Sequence, residues 1–187
     1  MAIVYAWLPR AKAVDVGHAA MSCKGIYMSF WPWGGATMLA GGIPEKVTVP
    51  YPPGNPHFPW MVTLKFGKNW LCPDLKTDIG KNHGRTPLSV DLRCLDDTTI
   101  ASWWLGARNR QYEPLHRNCS YVILEAMMVG GAAKYASFPG KFFASDAMEA
   151  YQIPHIPVEK LLTAVTAQDV YDYAQRVKRA ATHQRHA

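Results

Sequence analysis

Residues 116–131 read HRNCSYVILEAMMVGG, and this stretch carries the strongest local signal in the chain. The polar Asn118 comes directly before an apolar run, which is the pattern of a helix that begins after an N-cap. The paired glycines at 130 and 131 predict where the helix stops. We therefore predict a helix from about Asn118 to Met128, with Cys119 at its N-terminus.

A cysteine at the start of a helix has distinctive chemistry. The positive end of the helix dipole and the unpaired backbone N–H groups favour the thiolate, which is the nucleophilic form. The same N–H groups can stabilise an oxyanion on an attacked carbonyl. A small buried cap residue would show the same sequence pattern. Cys119 is thus a candidate nucleophile with a purely structural alternative.

Before this helix the chain is dominated by strand patterns. Five stretches with β-branched and aromatic residues predict strands, at 2–7, 15–22, 26–31, 60–66 and 88–95. Residues 32–59 are rich in glycine and proline and predict a long surface loop. Residues 67–88 also read as a loop, with a polar centre that we expect to be mobile.

Two further helices are predicted toward the C-terminus. One is capped by Asp96 or Asp97, and the last begins near Thr166, where Thr166 and Asp169 form a capping box. Strands followed by helices in 187 residues predict one α+β domain over residues 1–187. Residues 180–187 are expected to form a basic, frayed tail.

The composition is globular and the charge is basic. Charged residues make up 18% of the chain and its formal net charge is +6, which suits an anionic partner such as phospholipid or cell wall polymer. We expect no nucleic-acid partner, because aromatic-and-basic sheet motifs and zinc-finger spacings are lacking. With no signal peptide and no apolar run of about 20 residues, we expect cytoplasmic synthesis, reduced thiols and no transmembrane segment.

A nucleophilic thiol needs a base, and His18 is the best placed of the seven histidines. It lies inside a predicted strand, follows Gly17, and precedes two alanines that leave room above its ring. A strand holds a base more rigidly than the loops, connectors and tail that carry the other histidines. His116 is close to Cys119 in sequence and can be its neighbour without being the base. The structural alternative for His18 is a half-buried strand histidine bonded to backbone.

Three runs together resemble a known group: VGHAAMS at 16–22, YMSFWPWGG at 27–35 and NCSYVILEAM at 118–127. They resemble the permuted NlpC-type papain-like superfamily, which includes lecithin retinol acyltransferase-like and related bacterial enzymes. In that group a strand histidine precedes a helix cysteine, as His18 precedes Cys119 here. The likeness covers roughly residues 1–30 and 88–131. It implies a permuted papain-like α+β fold, with an antiparallel sheet packed against helices and the nucleophile at a helix N-terminus.

The resemblance also implies a third polar group on the strand after the base. Ser29 is the best match, and the alternation of a strand puts Tyr27, Ser29 and Trp31 on one face. An ordinary strand serine is an equally good interpretation of Ser29.

The remaining site candidates are weaker. Asn118 and Tyr5 are candidates for oxyanion support, and Asp15 is near enough in sequence to His18 to reach the site. Trp31 and Trp33 open the Gly-rich loop beside the base and are candidates for a substrate wall. The adjacent Trp103 and Trp104, by contrast, are expected to fill the core. We expect no metal and no cofactor.

These features predict a cysteine-dependent acyl hydrolase or acyltransferase that works through a covalent acyl-enzyme. Phospholipid acyl esters are the expected substrate, and peptidoglycan or peptide amides are the alternative. A bacterial effector toxin exported by a specialised secretion system would fit, with an immunity or chaperone protein as partner. A non-catalytic binding or adaptor protein is the rival from another class.

Overall fold

The computed structural model describes residues 1–8, 17–32, 45–50, 60–65, 69–110, 118–138 and 165–186. The strands in these ranges are β1 Ala2–Trp7, β2 His18–Cys23, β3 Ile26–Pro32, β4 Glu45–Pro50, β5 Trp60–Lys65, β6 Asn69–Leu71 and β7 Leu88–Leu92. The α-helices are α1 Leu75–Lys81, α2 Asp97–Ala107, α3 Cys119–Val129 and α4 Ala167–His186, with a 3-10 turn at Ala132–Lys134.

Five strands form one antiparallel sheet in the order β6-β3-β2-β1-β7. Helices α3 and α4 pack against it. The predicted α+β class, with an antiparallel sheet packed against helices, is therefore confirmed. Strands β4 and β5 pair separately as a two-stranded sheet.

The two faces of the main sheet have different characters. Alternate residues on one face belong to the hydrophobic core, among them Val4, Met21, Phe30 and Leu92. Helices α3 and α4 supply the other side of this core, and each fully buried aliphatic side chain contributes about 1.5–3 kcal/mol. The opposite face carries the polar and aromatic residues described below as the candidate site.

Residues 67–88 were predicted to be a loop, and this prediction is wrong. Strand β6 pairs with β3 through Trp70 and Trp31, and helix α1 follows it. Asp74 caps α1, since its carboxylate accepts a hydrogen bond from the N–H of Thr77 at 2.7 Å. The cap and the contacts of Asp78 with the sheet, described below, hold a helix that is too short to be stable alone.

The three predicted helices are confirmed, and so are their caps. Asp96 accepts from the N–H groups of Thr98 and Thr99 at the start of α2. At the start of α3 the side chain of Asn118 accepts from the N–H of Tyr121 at 2.8 Å. Trp103 and Trp104 are both buried, as predicted.

The structure differs from the prediction at the C-terminal end. Thr166 and Asp169 form the predicted capping box, but α4 then continues to His186, through most of the segment expected to be frayed. Val170, Val177 and Ala181 are buried on one side of this helix, and Ala181 extends this buried side into the segment predicted to be a tail.

A second difference lies in residues 32–59, where a long loop was predicted. Strand β4 occupies 45–50 of that stretch and pairs with β5, the strand predicted at 60–66.

Among the helices that the structure describes, none is both long enough and apolar enough to cross a bilayer.

Candidate active site

The candidate site is centred on His18, the first residue of β2, whose side chain is buried. Its Nε2 lies 3.0 Å from Oγ of Ser29 and 3.2 Å from Oδ2 of Asp78. Because an ionised carboxylate can only accept, Nε2 carries the proton. The other ring nitrogen, Nδ1, is left to interact with a thiol.

Sheet register explains why Ser29 reaches the ring. Strands β2 and β3 pair Ala20 with Ser29, and paired residues of an antiparallel sheet share a face. His18 lies two residues before Ala20 and therefore on the same face. The predicted pairing of His18 with Ser29 is thus a real contact in the structure.

Cys119 is the first residue of α3, and its buried thiol is hydrogen-bonded to the His18 side chain. Burial disfavours the thiolate, but the charge on His18 and a hydrogen bond with its ring lower the pKa of Cys119. The backbone N–H of Ala19 and the hydroxyl of Ser120 lower the pKa of the thiol further.

The pKa of His18 moves in the opposite direction. Burial alone would lower it, but the negative charge of Cys119 and the hydrogen bond to Asp78 raise the pKa of His18 from 6.5 to about 9. Both shifts favour the same charge state, a thiolate next to an imidazolium. This is the form in which a cysteine attacks a carbonyl carbon.

Asp78 accepts hydrogen bonds from several directions and is completely buried. Tyr27 donates its hydroxyl to Oδ2 at 2.7 Å, and Trp31 donates its indole N–H to Oδ1 at 2.8 Å. Burial opposes ionisation of Asp78, yet the hydrogen bond and charge of His18 hold its pKa below the usual range. Hydrogen bonds from Ser29 and Tyr27 lower the pKa of Asp78 further, so the carboxylate remains charged.

Two tryptophans flank the His18 ring. Trp31 stacks on it with ring centroids 4.1 Å apart and an interplanar angle of 25°. Trp7, its register partner on β1, lies at 5.4 Å and is tilted by 39°. The indole N–H of Trp7 donates to the carbonyl of Arg85 at 2.6 Å, which ties the segment after α1 to this end of the sheet.

The structure brings together His18, Cys119 and Ser29, and it confirms that Tyr27, Ser29 and Trp31 share a face. The hydroxyl of Tyr5 lies 3.2 Å from Oγ of Ser22, toward the other end of β2. Trp33, Asp15 and His116 lie outside the described residues.

The side chain of Asn118, predicted as a candidate for oxyanion support, makes two structural hydrogen bonds, and the oxyanion role stays a prediction. One end of its amide caps α3, and its Nδ2 donates to the carbonyl of Val165 at 3.0 Å. The side chain therefore joins the start of α3 to the segment that leads into α4.

Asp78 is the residue that the sequence interpretation missed. Its surroundings, KTDIGKN, are polar and give no sign of burial. The one available signal was Asp74, which follows Pro73 and precedes LKT in the manner of an N-cap. A helix beginning there would have put Asp78 one turn inside it, although nothing in the sequence shows which face turns inward.

Among the described residues, no group of three or more His, Cys, Asp and Glu side chains is arranged to hold a metal ion. None of the four cysteines forms a disulfide bond. Comparisons with protein-family models, curated proteins and solved structures found no match for this chain. The site must therefore be interpreted from its own geometry.

Proposed function

We propose that this protein is a cysteine-dependent acyl hydrolase or acyltransferase, with Cys119 as nucleophile, His18 as acid and base, and Asp78 with Ser29 as the groups that orient His18. The supporting observation is the buried line from thiol to imidazole to carboxylate, contributed by α3, β2 and α1. Three chemically matched groups from distant parts of the chain meet in one place. A structural cysteine does not require such an arrangement.

The proposed reaction has two steps. The Cys119 thiolate attacks the acyl carbonyl carbon, a C–S bond forms, and the His18 imidazolium protonates the leaving alcohol or amine as its bond to the acyl carbon breaks. His18 then takes a proton from water or an acceptor hydroxyl, which attacks the thioester. The acyl group leaves as an acid or a new ester, and Cys119 returns to its thiolate form.

Backbone N–H groups at the start of α3 would hold the oxyanion. The first hydrogen bond within the helix runs from the N–H of Val122 to the carbonyl of Asn118. The N–H groups of Cys119 and Ser120 come before it and have no acceptor within the helix. They lie beside the sulfur, where negative charge develops on the attacked carbonyl oxygen. This assigns to the backbone the role that the sequence suggested for the side chains of Asn118 and Tyr5.

The proposed substrate is a phospholipid acyl ester. The net charge of +6 favours an anionic surface, and exposed lysine and arginine side chains such as Lys24, Arg93 and Lys178 contribute to it. The permuted papain-like fold and a role as a delivered bacterial toxin remain parts of the same proposal, carried by the sequence resemblance alone.

The test compares wild-type protein with Cys119→Ala and with Cys94→Ala, a matched change at a half-buried cysteine distant in sequence. Each is incubated with anionic phospholipid vesicles and, separately, with purified cell wall. We expect fatty acid release by the wild type and Cys94→Ala but not by Cys119→Ala, and an acyl adduct on Cys119 by mass spectrometry. Release of peptide from the cell wall would instead identify the substrate as an amide. Equal release by Cys119→Ala would refute the mechanism, and no turnover of either substrate would favour the adaptor alternative.

A further inference from the structure

We propose that Trp31 is a positioning residue that holds the His18 imidazole and the Asp78 carboxylate in their working geometry, a role that rests on the proposed Cys119–His18 chemistry. The sequence had suggested Trp31 as a substrate wall. Its contacts are instead with His18 and Asp78, inside the site.

One indole contacts both partners of the buried pair. Its ring face stacks on the imidazole at 4.1 Å, and its Nε1 donates to Oδ1 of Asp78 at 2.8 Å. The ring face used for this stack is not available to a substrate. Rotation of His18 about its side-chain bonds would have to break the stack, and rotation of Asp78 would break the hydrogen bond.

The hydrogen bonds to Asp78 are distributed over both of its carboxylate oxygens. Trp31 occupies Oδ1, which leaves Oδ2 for His18 and for the hydroxyl of Tyr27. A carboxylate held at both oxygens cannot turn away from the ring. The stack adds a favourable contact between the electron-rich indole face and the positively charged imidazolium.

The position of Trp31 is itself rigid. It lies near the end of β3 and pairs with Trp70 of β6, so the neighbouring strand holds its backbone on that side. Trp70 offers a matched control, because its ring contacts Lys81, with Nζ 4.9 Å from the ring centroid, and it is not among the described ring and hydrogen-bond partners of His18 and Asp78.

The experiment measures the alkylation rate of Cys119 by iodoacetamide, with the modified peptide identified by mass spectrometry, from acid to alkaline pH. Trp31→Phe keeps a stacking ring and loses the N–H donor, whereas Trp31→Leu loses both. We expect Trp31→Phe to slow alkylation at neutral pH by about tenfold, the loss of one hydrogen bond to a charged group. Trp31→Leu should be slower still, and Trp70→Phe should match the wild type.

Turnover separates positioning from substrate binding. A positioning residue lowers kcat and leaves KM nearly unchanged, whereas a wall residue raises KM and leaves alkylation by a small reagent unchanged. The proposal would therefore be overturned if Cys119 of both Trp31 variants were alkylated at the wild-type rate. Circular dichroism and thermal unfolding verify the fold, and the milder Trp31→Phe decides the matter if Trp31→Leu does not fold.

Alkylation requires no acyl substrate, so the two proposals can fail separately. A protein whose Cys119 alkylation depends on Trp31 but which releases no acyl product would refute the proposed function and keep the positioning role. Acyl release by Trp31 variants at the wild-type rate would refute the positioning role alone.

Discussion

Nε2 of His18 lies 3.2 Å from Oδ2 of Asp78, and both side chains are removed from solvent. The two residues are 60 positions apart and belong to β2 and α1. Breaking such a buried pair by removing one partner costs about 3–5 kcal/mol, because the other charge is left without compensation. The short helix α1 is therefore tied to the candidate site by its one buried carboxylate.

Asp78→Asn should abolish most of the activity without changing the size of the side chain. The amide has no charge to hold the imidazolium, and its NH₂ group can meet the Nε2 proton of His18. We expect kcat for acyl release to fall on the order of a hundredfold, the usual contribution of a correctly held acid–base group.

Asp74→Asn is the matched control for this substitution. Asp74 lies one turn earlier on the same helix, is exposed, and serves as its N-cap. Asparagine caps helices as well as aspartate does, so this variant should keep wild-type kcat. Equal losses in both variants would mean that α1 matters only for folding and that Asp78 does not orient His18.

The pH dependence of the thiol should differ from that of turnover. As pH falls through the lowered pKa of Cys119, the thiolate is protonated and alkylation slows. As pH rises through about 9, His18 loses its proton, so the acid for the leaving group is lost while the thiolate remains. Alkylation should therefore rise to a plateau, and turnover should be bell-shaped with an alkaline limb near pH 9.

The other buried thiols provide an internal reference for that measurement. Burial, and next the nearby carboxylates, raise the pKa of Cys23 to about 11 and of Cys72 to about 12. At neutral pH Cys119 should thus be modified well before either of them. Modification of all three with the same pH profile would contradict the ion pair.

The sequence sufficed for residues whose local pattern determines their place. Asn118 and Cys119 were recognisable because an N-cap followed by an apolar run fixes where a helix begins. His18 was recognisable from its place inside a predicted strand beside small residues, and Ser29 was proposed because the family resemblance implies a polar group on the next strand. Each of these inferences depends on neighbours within a few positions in sequence or across one hairpin.

Asp78 could not be found in the same way, because its environment is created by tertiary contacts. Tyr27 and Trp31 on β3 bond to it from a strand that is remote in sequence. Its own neighbours are polar, so local hydropathy predicts exposure. The contacts of Trp31 were missed for a related reason, since its stacking on His18 depends on how β2 and β3 run side by side beyond their paired residues.

The packing of α2 against the end of α3 gives a stability prediction that does not involve the site. A Cβ added at Gly130 would lie 2.6 Å from Cδ1 of Ile100, a fully buried side chain. Gly130→Ala should therefore lower the free energy of unfolding by about 1–3 kcal/mol. Urea denaturation measures this change.

Gly106 supplies the opposite case within α2. A Cβ there meets no atom within 4 Å, so Gly106→Ala adds helix propensity without a clash. It should raise the free energy of unfolding by about 0.5–1 kcal/mol. For the earlier variant, an increase in the free energy of unfolding of Gly130→Ala would mean that α2 and the end of α3 pack less closely than described.

Asn118 tests whether the residue before the thiol acts through structure or through chemistry. Its side chain is engaged at both ends, with Oδ1 accepting from Tyr121 and Nδ2 donating to Val165. Asn118→Ala loses both bonds, and we expect the free energy of unfolding to fall by about 1–2 kcal/mol. Asn118→Ser keeps a cap oxygen and should recover about half of that loss, because serine is nearly as good a cap as asparagine.

Turnover of the serine variant then separates the two roles. If Asn118 only caps α3, the N–H groups beside Cys119 stay in place, and kcat of Asn118→Ser should remain near the wild-type value. If its amide instead binds the oxyanion, both variants should lose kcat equally while alkylation of Cys119 in the serine variant continues at the wild-type rate. The first result would leave the oxyanion to the backbone N–H groups of Cys119 and Ser120, since Asn118 would then contribute only to holding the turn that presents them.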